Sequence, residues 1–260
     1  MSIKLSNISF SYPGRSVLKD IDLEIPDCAY YGIVGPNGSG KTTLAYIIAG
    51  ILPPEKGSVD RGGLKTGLIL ANPENQIVSL VVEEDVAFGP ENLGFNSDYI
   101  SASVLDALAA TGSLDLRYAL TTSLSGGELA KIAFAGQLAM EADTLILDEG
   151  TAHLDPGGRA VLFETLKRLN QDKAKTVIHI SHRLDDLEAA TQVVYLVDGQ
   201  VKFSAPGVTS LIKAYPKGSI PDVESGSKLI YKMFLSSIGI EDLSIRDATF
   251  KLAISLQQKD

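Results

Sequence analysis

Residues 35–42 read Gly-Pro-Asn-Gly-Ser-Gly-Lys-Thr, a match to G-x-x-x-x-G-K-[ST]. Glycines let a backbone bend until successive N–H groups point inward at phosphate oxygens. A helix beginning at Lys41 adds its positive dipole end. The Lys41 ammonium can reach outer phosphates and the Thr42 hydroxyl can ligate Mg²⁺. Gly35, Pro36, Asn37, Gly38, Ser39, Gly40, Lys41, Thr42 and the adjoining Thr43 are therefore read as a phosphate cradle. A second acidic element follows. Leu145-Ile146-Leu147 delivers Asp148 and Glu149 at the end of an apolar run. Asp148 suits Mg²⁺, and Glu149 can polarise an attacking water as general base. Standing alone, such a pair is more often a solvated helix cap; following a phosphate loop, the functional reading prevails. A third element, Leu124-Ser125-Gly126-Gly127-Glu128, holds the S-x-x-E of a capping box, with two glycines exposing N–H groups at a helix start.

These residues must be positioned by regular elements, and the patterning supplies them. The first 25 residues alternate around Tyr12-Pro13-Gly14, as an antiparallel hairpin does. Short apolar runs at 31–34, 67–70, 145–147, 176–180 and 193–197 fit strands buried on both faces of a parallel sheet. Helical patterns at 41–51, 129–140 and 159–170 lie between them. The phosphate loop thus falls between a strand and a helix, and the Asp-Glu pair at a strand's carboxyl end, where ligands gather in α/β sheets. Two regions break the rhythm. One is a helical insert from about 76 to 123, with a helix expected at 100–110. The other is an extension beyond 208 that contains an amphipathic stretch at 228–238.

Its 260 residues suit one large domain, or one domain with a small appendage, and with 45% hydrophobic and 21% charged residues the chain is foldable. Lys and Arg total 23 against 32 Asp and Glu, a net charge of −9. That excess disfavours a nucleic-acid partner, because phosphate contacts need a basic surplus. The single cysteine, Cys28, allows neither an intrachain disulfide nor a multi-cysteine zinc site. No run approaches the ~20 apolar residues that span a bilayer, so a soluble, cytoplasmic chain is expected.

Taken together, the phosphate loop, Leu124–Glu128 and the Asp-Glu strand end resemble the ATP-binding cassette (ABC) ATPases, whose signature is LSGGQ. Ser125 lies 23 residues before Asp148, an ordinary spacing for that family. Glu128 stands where the family usually has Gln. Thr151-Ala152-His153-Leu154-Asp155 resembles the family's D-loop, which crosses a dimer interface. Ser181-His182 looks like the switch histidine that contacts the γ-phosphate. Tyr12 resembles the aromatic that stacks on adenine; the plainer reading is a hairpin Tyr packed on the sheet. His179, inside a strand run, reads as a packed core residue. The resemblance implies an ATP- and Mg²⁺-dependent ATPase. It implies a mostly parallel core sheet, an N-terminal antiparallel subdomain, a helical subdomain at about 76–140 and an extension at 208–260. It also implies head-to-tail dimers, in which Ser125, Gly126, Gly127, Glu128 and Asp155 of one subunit close on ATP held by the other. Glu149 and His182 would be catalytic, and Thr42 and Asp148 would hold the metal.

Two departures stand out. Ala71 occupies the place of the glutamine that would help coordinate Mg²⁺ and water, and Gly150 replaces a frequent proline. Asn72 and Gln76 are nearby amides, neither at the matching place. The run 82–94, Val-Glu-Glu-Asp-Val-Ala-Phe-Gly-Pro-Glu-Asn-Leu-Gly, is similar to energy-coupling factor (ECF) transporter ATPases, as is the Asn-Pro-Glu-Asn-Gln of 72–76. That branch implies import of vitamins or transition metals. Its partners would be a second ATPase (a different one favoured over a copy), a transmembrane coupling protein and a substrate-binding membrane protein. The place implied is the cytoplasmic membrane face. Helices of the insert would receive the coupling protein, and the extension could help pair the ATPases. A catalytically weak partner subunit, motivated by Ala71, and a non-transport ABC protein acting on nucleic acid stand as alternatives.

Overall fold

The computed structural model describes residues 1–149 and 154–214. The expected amphipathic stretch at 228–238, most of the extension, Gly150 and 151–153 lie outside the described residues.

Strands β1 (Ser2–Tyr12) and β2 (Arg15–Pro26) form the expected hairpin, and β4 (Lys56–Asp60) pairs on the other edge of β1. Ile3, Leu5, Ile8, Leu18, Ile21, Leu23 and Ile25 all face inward. Their alternation is not strict, with three-residue steps from Leu5 to Ile8 and from Leu18 to Ile21. Asn7 and Asp20 take left-handed φ of 52° and 49°, and the register shifts between Leu5 and Ile8. An extra residue at each bulge returns the apolar side chains to the same face.

The second sheet has six strands in the order β5-β6-β7-β3-β8-β9. It comprises β3 (Tyr30–Val34), β5 (Thr66–Ile69), β6 (Thr144–Asp148), β7 (Thr176–Ser181), β8 (Gln192–Val197) and β9 (Gln200–Ala205). All pair parallel except the β8–β9 hairpin. Every residue of β3, β6 and β7 is buried, as continuous apolar runs require. One face of this sheet, with α1 (Lys41–Ala49), packs against the antiparallel sheet. The other carries α5 (Pro156–Lys173) and part of α4 (Gly126–Ala139). The insert holds α2 (Val82–Asn92) and α3 (Ser97–Ala110), which share a separate apolar cluster with α4. The last described element, α6 (Gly207–Ala214), begins where the extension was expected. Val208 and Leu211 are nevertheless buried in the main core beside Ala190 and Ala205, so these first residues belong to its packing.

Candidate functional site

Strand β3 is the fourth strand of the sheet, flanked by β7 and β8, and its carboxyl end opens into the loop at 35–40. The loop leaves no room for side chains at two points. A Cβ at Gly35 would lie 2.0 Å from the Leu196 carbonyl oxygen. Gly40 has φ +103°, and a Cβ there would come within 2.8 Å of Leu18 Cδ2. Gly40 is also the N-cap of α1, which has no side-chain cap and no acidic residue in its first turn. The helix's first N–H groups and positive dipole end therefore face the loop unneutralised.

Lys41 is 6% exposed, and its Nζ donates to the carbonyls of Gly35 (2.9 Å) and Pro36 (3.0 Å). The ammonium also lies 3.8 Å from Glu149 Oε1. Burial pushes the Lys41 pKa down, opposed by the charges of Glu149 and Asp148. Ser39 and Thr43 are buried beside it. Asn37, Gly38, Gly40, Lys41, Thr42, Thr43 and Glu149 line one cavity of 460 Å³. Tyr12 lines it from the tip of the β1–β2 hairpin, 45% exposed, its ring edge-to-face with Phe10 at 5.0 Å. Pro36 sits in the loop as an acceptor for Ser39 N–H and for Lys41.

Strand β6, two strands away, ends in Asp148 and delivers Glu149. Asp148 is 2% exposed, its side chain bonded to Thr42, while Oδ1 has no hydrogen-bond partner. Burial raises its pKa; the Thr42 hydrogen bond opposes this, Glu149 adds to it and Lys41 opposes it. An orphaned, buried carboxylate oxygen beside a hydroxyl is a hard-oxygen donor pair that fits Mg²⁺. Among the described residues no group of three or more His, Cys, Asp or Glu converges on a metal position. Such a pair therefore suits a metal that arrives with phosphate oxygens rather than one caged by protein. Glu149 has φ +53°, and its N–H donates to Ile180 O at 3.1 Å, so β7 fixes the turn. Its Oε1 lies 3.4 Å from His182 Nδ1. Lys41 and His182 therefore both meet Glu149 Oε1.

His179 is fully buried, with Tyr30 Oη 3.2 Å from its Nδ1. Burial drives its pKa down to about 4, opposed by Asp186. It is the core residue anticipated.

The fold does not bring every expected residue to this cavity. Ser125, Gly126, Gly127 and Glu128 begin α4, and Asp155 caps α5, accepting from Gly158 N–H at 3.1 Å. None of them lines the cavity. At α4 the capping box is complete. Ser125 N–H and Oγ–H donate to Glu128 Oε2 at 2.8 and 2.7 Å, and Glu128 N–H donates back to Ser125 Oγ at 3.4 Å. The two Ser125 donors hold the Glu128 carboxyl below its ordinary pKa. Ser125 is exposed.

Gln76 does not stand in for Ala71. Its Oε1 accepts from Leu70 N–H and its Nε2 donates to Leu68 O, each at 2.8 Å, so the amide extends the β5 ladder. No residue of 71–76 lines the cavity. Arg15 is a site residue that sequence reading missed. It lines the cavity from the hairpin turn, and its Nη2 reaches Gly38 O at 3.5 Å. A basic residue directly after Pro-Gly was the available signal.

The model of the ABC transporter family matches residues 18–152. The chain is 42% identical over 217 residues to an energy-coupling factor transporter ATP-binding protein, EcfA1, of Caldanaerobacter subterraneus, covering 76% of this chain and 78% of that one. It is 41% identical over 213 residues to EcfA of Methanosarcina acetivorans, covering 76% and 77%. Among solved structures, it superposes on cbiO1 from Clostridium perfringens, described as part of the ABC transporter complex cbiONQ. The TM-score is 0.71 and the identity 30%, over 83% of this chain and 94% of that one. The dimeric structure of MJ0796, a bacterial ABC transporter cassette, matches with TM-score 0.72 and 26% identity, over 78% and 98%.

Proposed function

The chain belongs to the ABC transporter family, in its energy-coupling factor ATP-binding branch, and from that premise we propose that it powers an ECF-type membrane importer by ATP-driven closure of an ATPase dimer. It is an ATPase whose hydrolysis is coupled to transport. The single observation that carries the site assignment is the convergence on Glu149 Oε1 of Lys41 Nζ at 3.8 Å and His182 Nδ1 at 3.4 Å, above a buried Asp148.

In this reading the N–H groups of 35–42 and Lys41 grip the β and γ phosphates, and Tyr12 stacks on the adenine. Thr42 and Asp148 would hold Mg²⁺, which when bound neutralises phosphate charge. Glu149 takes a proton from water as its oxygen bonds to the γ-phosphorus. The bond from that phosphorus to the bridging oxygen breaks, and ADP leaves. His182 donates to the γ-phosphate. Ser125 and the N–H groups of Gly126 and Gly127 complete the site on the opposing subunit's nucleotide, with Glu128 holding that terminus and Asp155 at the seam. Separation of the signature from the cradle within one chain supports this two-chain arrangement. A transmembrane coupling protein and a substrate-binding membrane protein are the remaining partners, at the cytoplasmic membrane face. Among the described residues no helix is long and apolar enough to cross a membrane, which agrees with a peripheral subunit. Vitamins or transition-metal ions are the cargo class, chosen by the membrane proteins.

Glu149→Gln tests the reading. ATP binding should persist, turnover should fall at least ~100-fold, and the closed dimer should accumulate. Equal turnover in the variant and the wild type refutes the general-base role.

A second reading has its own observation. Ala71 offers no polar group, and the Gln76 amide is held by β5. This supports a heterodimer in which the chain's own site is weak and its partner ATPase the more active. Ala71→Gln should then raise turnover severalfold; unchanged turnover in an already active chain contradicts it.

A further inference from the structure

His182 sits between Ser181 and Arg183, and both neighbours are tied to one buried carboxylate. Asp186 is 5% exposed. Its Oδ2 accepts from Ser181 Oγ–H at 3.0 Å, and Ser181 Oγ in turn accepts from Arg183 N–H at 3.0 Å. Its Oδ1 lies 3.9 Å from Arg183 Nε and 3.9 Å from Arg159 Nη1. Asp186 itself belongs to a short 3-10 turn, Leu184–Leu187, whose Leu184 and Leu187 are buried in the main core. The carboxylate thus sits on a buried turn, hydrogen-bonded to Ser181 and ion-paired with Arg183, the two residues flanking the histidine. Arg159 lies in the first turns of α5, four residues beyond Asp155, so the same carboxylate also reaches the helix that Asp155 caps.

Taking the ATPase reading above, we propose that Asp186 is the positioning residue of the switch-histidine loop, fixing His182 against Glu149 and tying that loop to α5. The physics favours such a device. His182 is one-third exposed and follows a strand end, where a loop would otherwise fluctuate. Misplacing a group by ~1 Å can lower a rate ~100-fold without touching the reacting atoms. A buried carboxylate that accepts from a hydroxyl and faces two guanidinium groups has few alternative arrangements. Neither Asp186 nor Ser181, Arg183 or Arg159 lines the cavity at 37–43, so nucleotide grip and histidine placement are separable.

The test uses the full chain labelled with ¹⁵N-histidine. Its three histidines give few imidazole signals, and His182→Gln identifies the one of interest. In Asp186→Asn the His182 signals should move and broaden in the nucleotide-free chain. On adding MgATP, affinity should stay within ~threefold of wild type, while the ordered His182 response is lost. Turnover in the ATPase dimer should fall ~10-fold in kcat with KM nearly unchanged. In a His182→Ala background, Asp186→Asn should have no further effect. Ser181→Ala removes the hydroxyl that donates to Asp186 and accepts from Arg183 N–H and leaves the buried charge in place, so it serves if Asp186→Asn does not fold; it should lower kcat ~threefold. Unchanged His182 signals in either variant overturn the proposal, as does an Asp186→Asn loss that persists undiminished without His182. A wild-type chain that fails to bind or turn over ATP refutes the ATPase reading instead, and the nucleotide-free spectra still decide the tie.

Discussion

Two helices begin with glycine-rich segments, and their first turns are finished in opposite ways. Helix α1 starts from Gly40 in a left-handed conformation with no side-chain cap and a buried lysine at its first position. Helix α4 starts from Ser125 in an extended conformation, and Ser125 and Glu128 cap one another. An uncapped end with an adjacent ammonium has donors that only an anion can satisfy well. A self-capped end is complete without a ligand, and its serine is already engaged by a carboxylate held ionised. The first terminus should therefore bind phosphate by itself. The second should contribute only when another subunit brings a phosphate to it, in competition with Glu128. Sharing a dipole is not sharing a role, and the cap decides which role each end takes.

The largest effect expected is on the first terminus. Lys41→Ala should lower ATP affinity of the isolated chain at least ~100-fold, since a buried cation facing the phosphates is lost; equilibrium titration checks this, and the wild-type chain should bind one ATP, not two. Next comes the second terminus. Ser125→Ala should leave the isolated chain's ATP affinity within ~twofold, yet lower turnover of the assembled dimer ~10-fold or more. If the isolated chain loses affinity as well, the division between the two ends is wrong. The smallest effect is on stability: the same substitution removes an N-cap and should destabilise the fold by about 1 kcal/mol, read by thermal or denaturant unfolding.

Both termini are legible in the sequence. The loop at 35–42, the acidic strand end and the capping box are local patterns, each defined within about eight residues. Their patterns could be read before any fold was known, and so could the buried strands that carry them. The bulges at Asn7 and Asp20 were not anticipated, since the segment was read as plain alternation. What escaped were the long-range ties. Nothing local indicates that Gln76 would join the β5 ladder, and a basic residue after Pro-Gly does not by itself say that Arg15 would reach from the hairpin to Gly38 in the loop. Asp186 reads as one acid among several in Leu184-Asp185-Asp186-Leu187-Glu188. Only the packing of α5 against β7 sets Arg159 before it. Strand β4, with a nearly continuously exposed pattern, carried too weak an apolar signal to be placed.

The central claim is that ATP is held at a seam, by the cradle of one subunit and the capped helix of another. It is tested most directly by determining the structure of the Glu149→Gln chain with its partner ATPase and MgATP. The account predicts Ser125 Oγ and the Gly126–Gly127 amides within hydrogen-bonding distance of a γ-phosphate bound on the opposing subunit, with Glu128 drawn away from the Ser125 hydroxyl. Nucleotide bound at 35–42 with Ser125 still capped by Glu128 and open to solvent would contradict it.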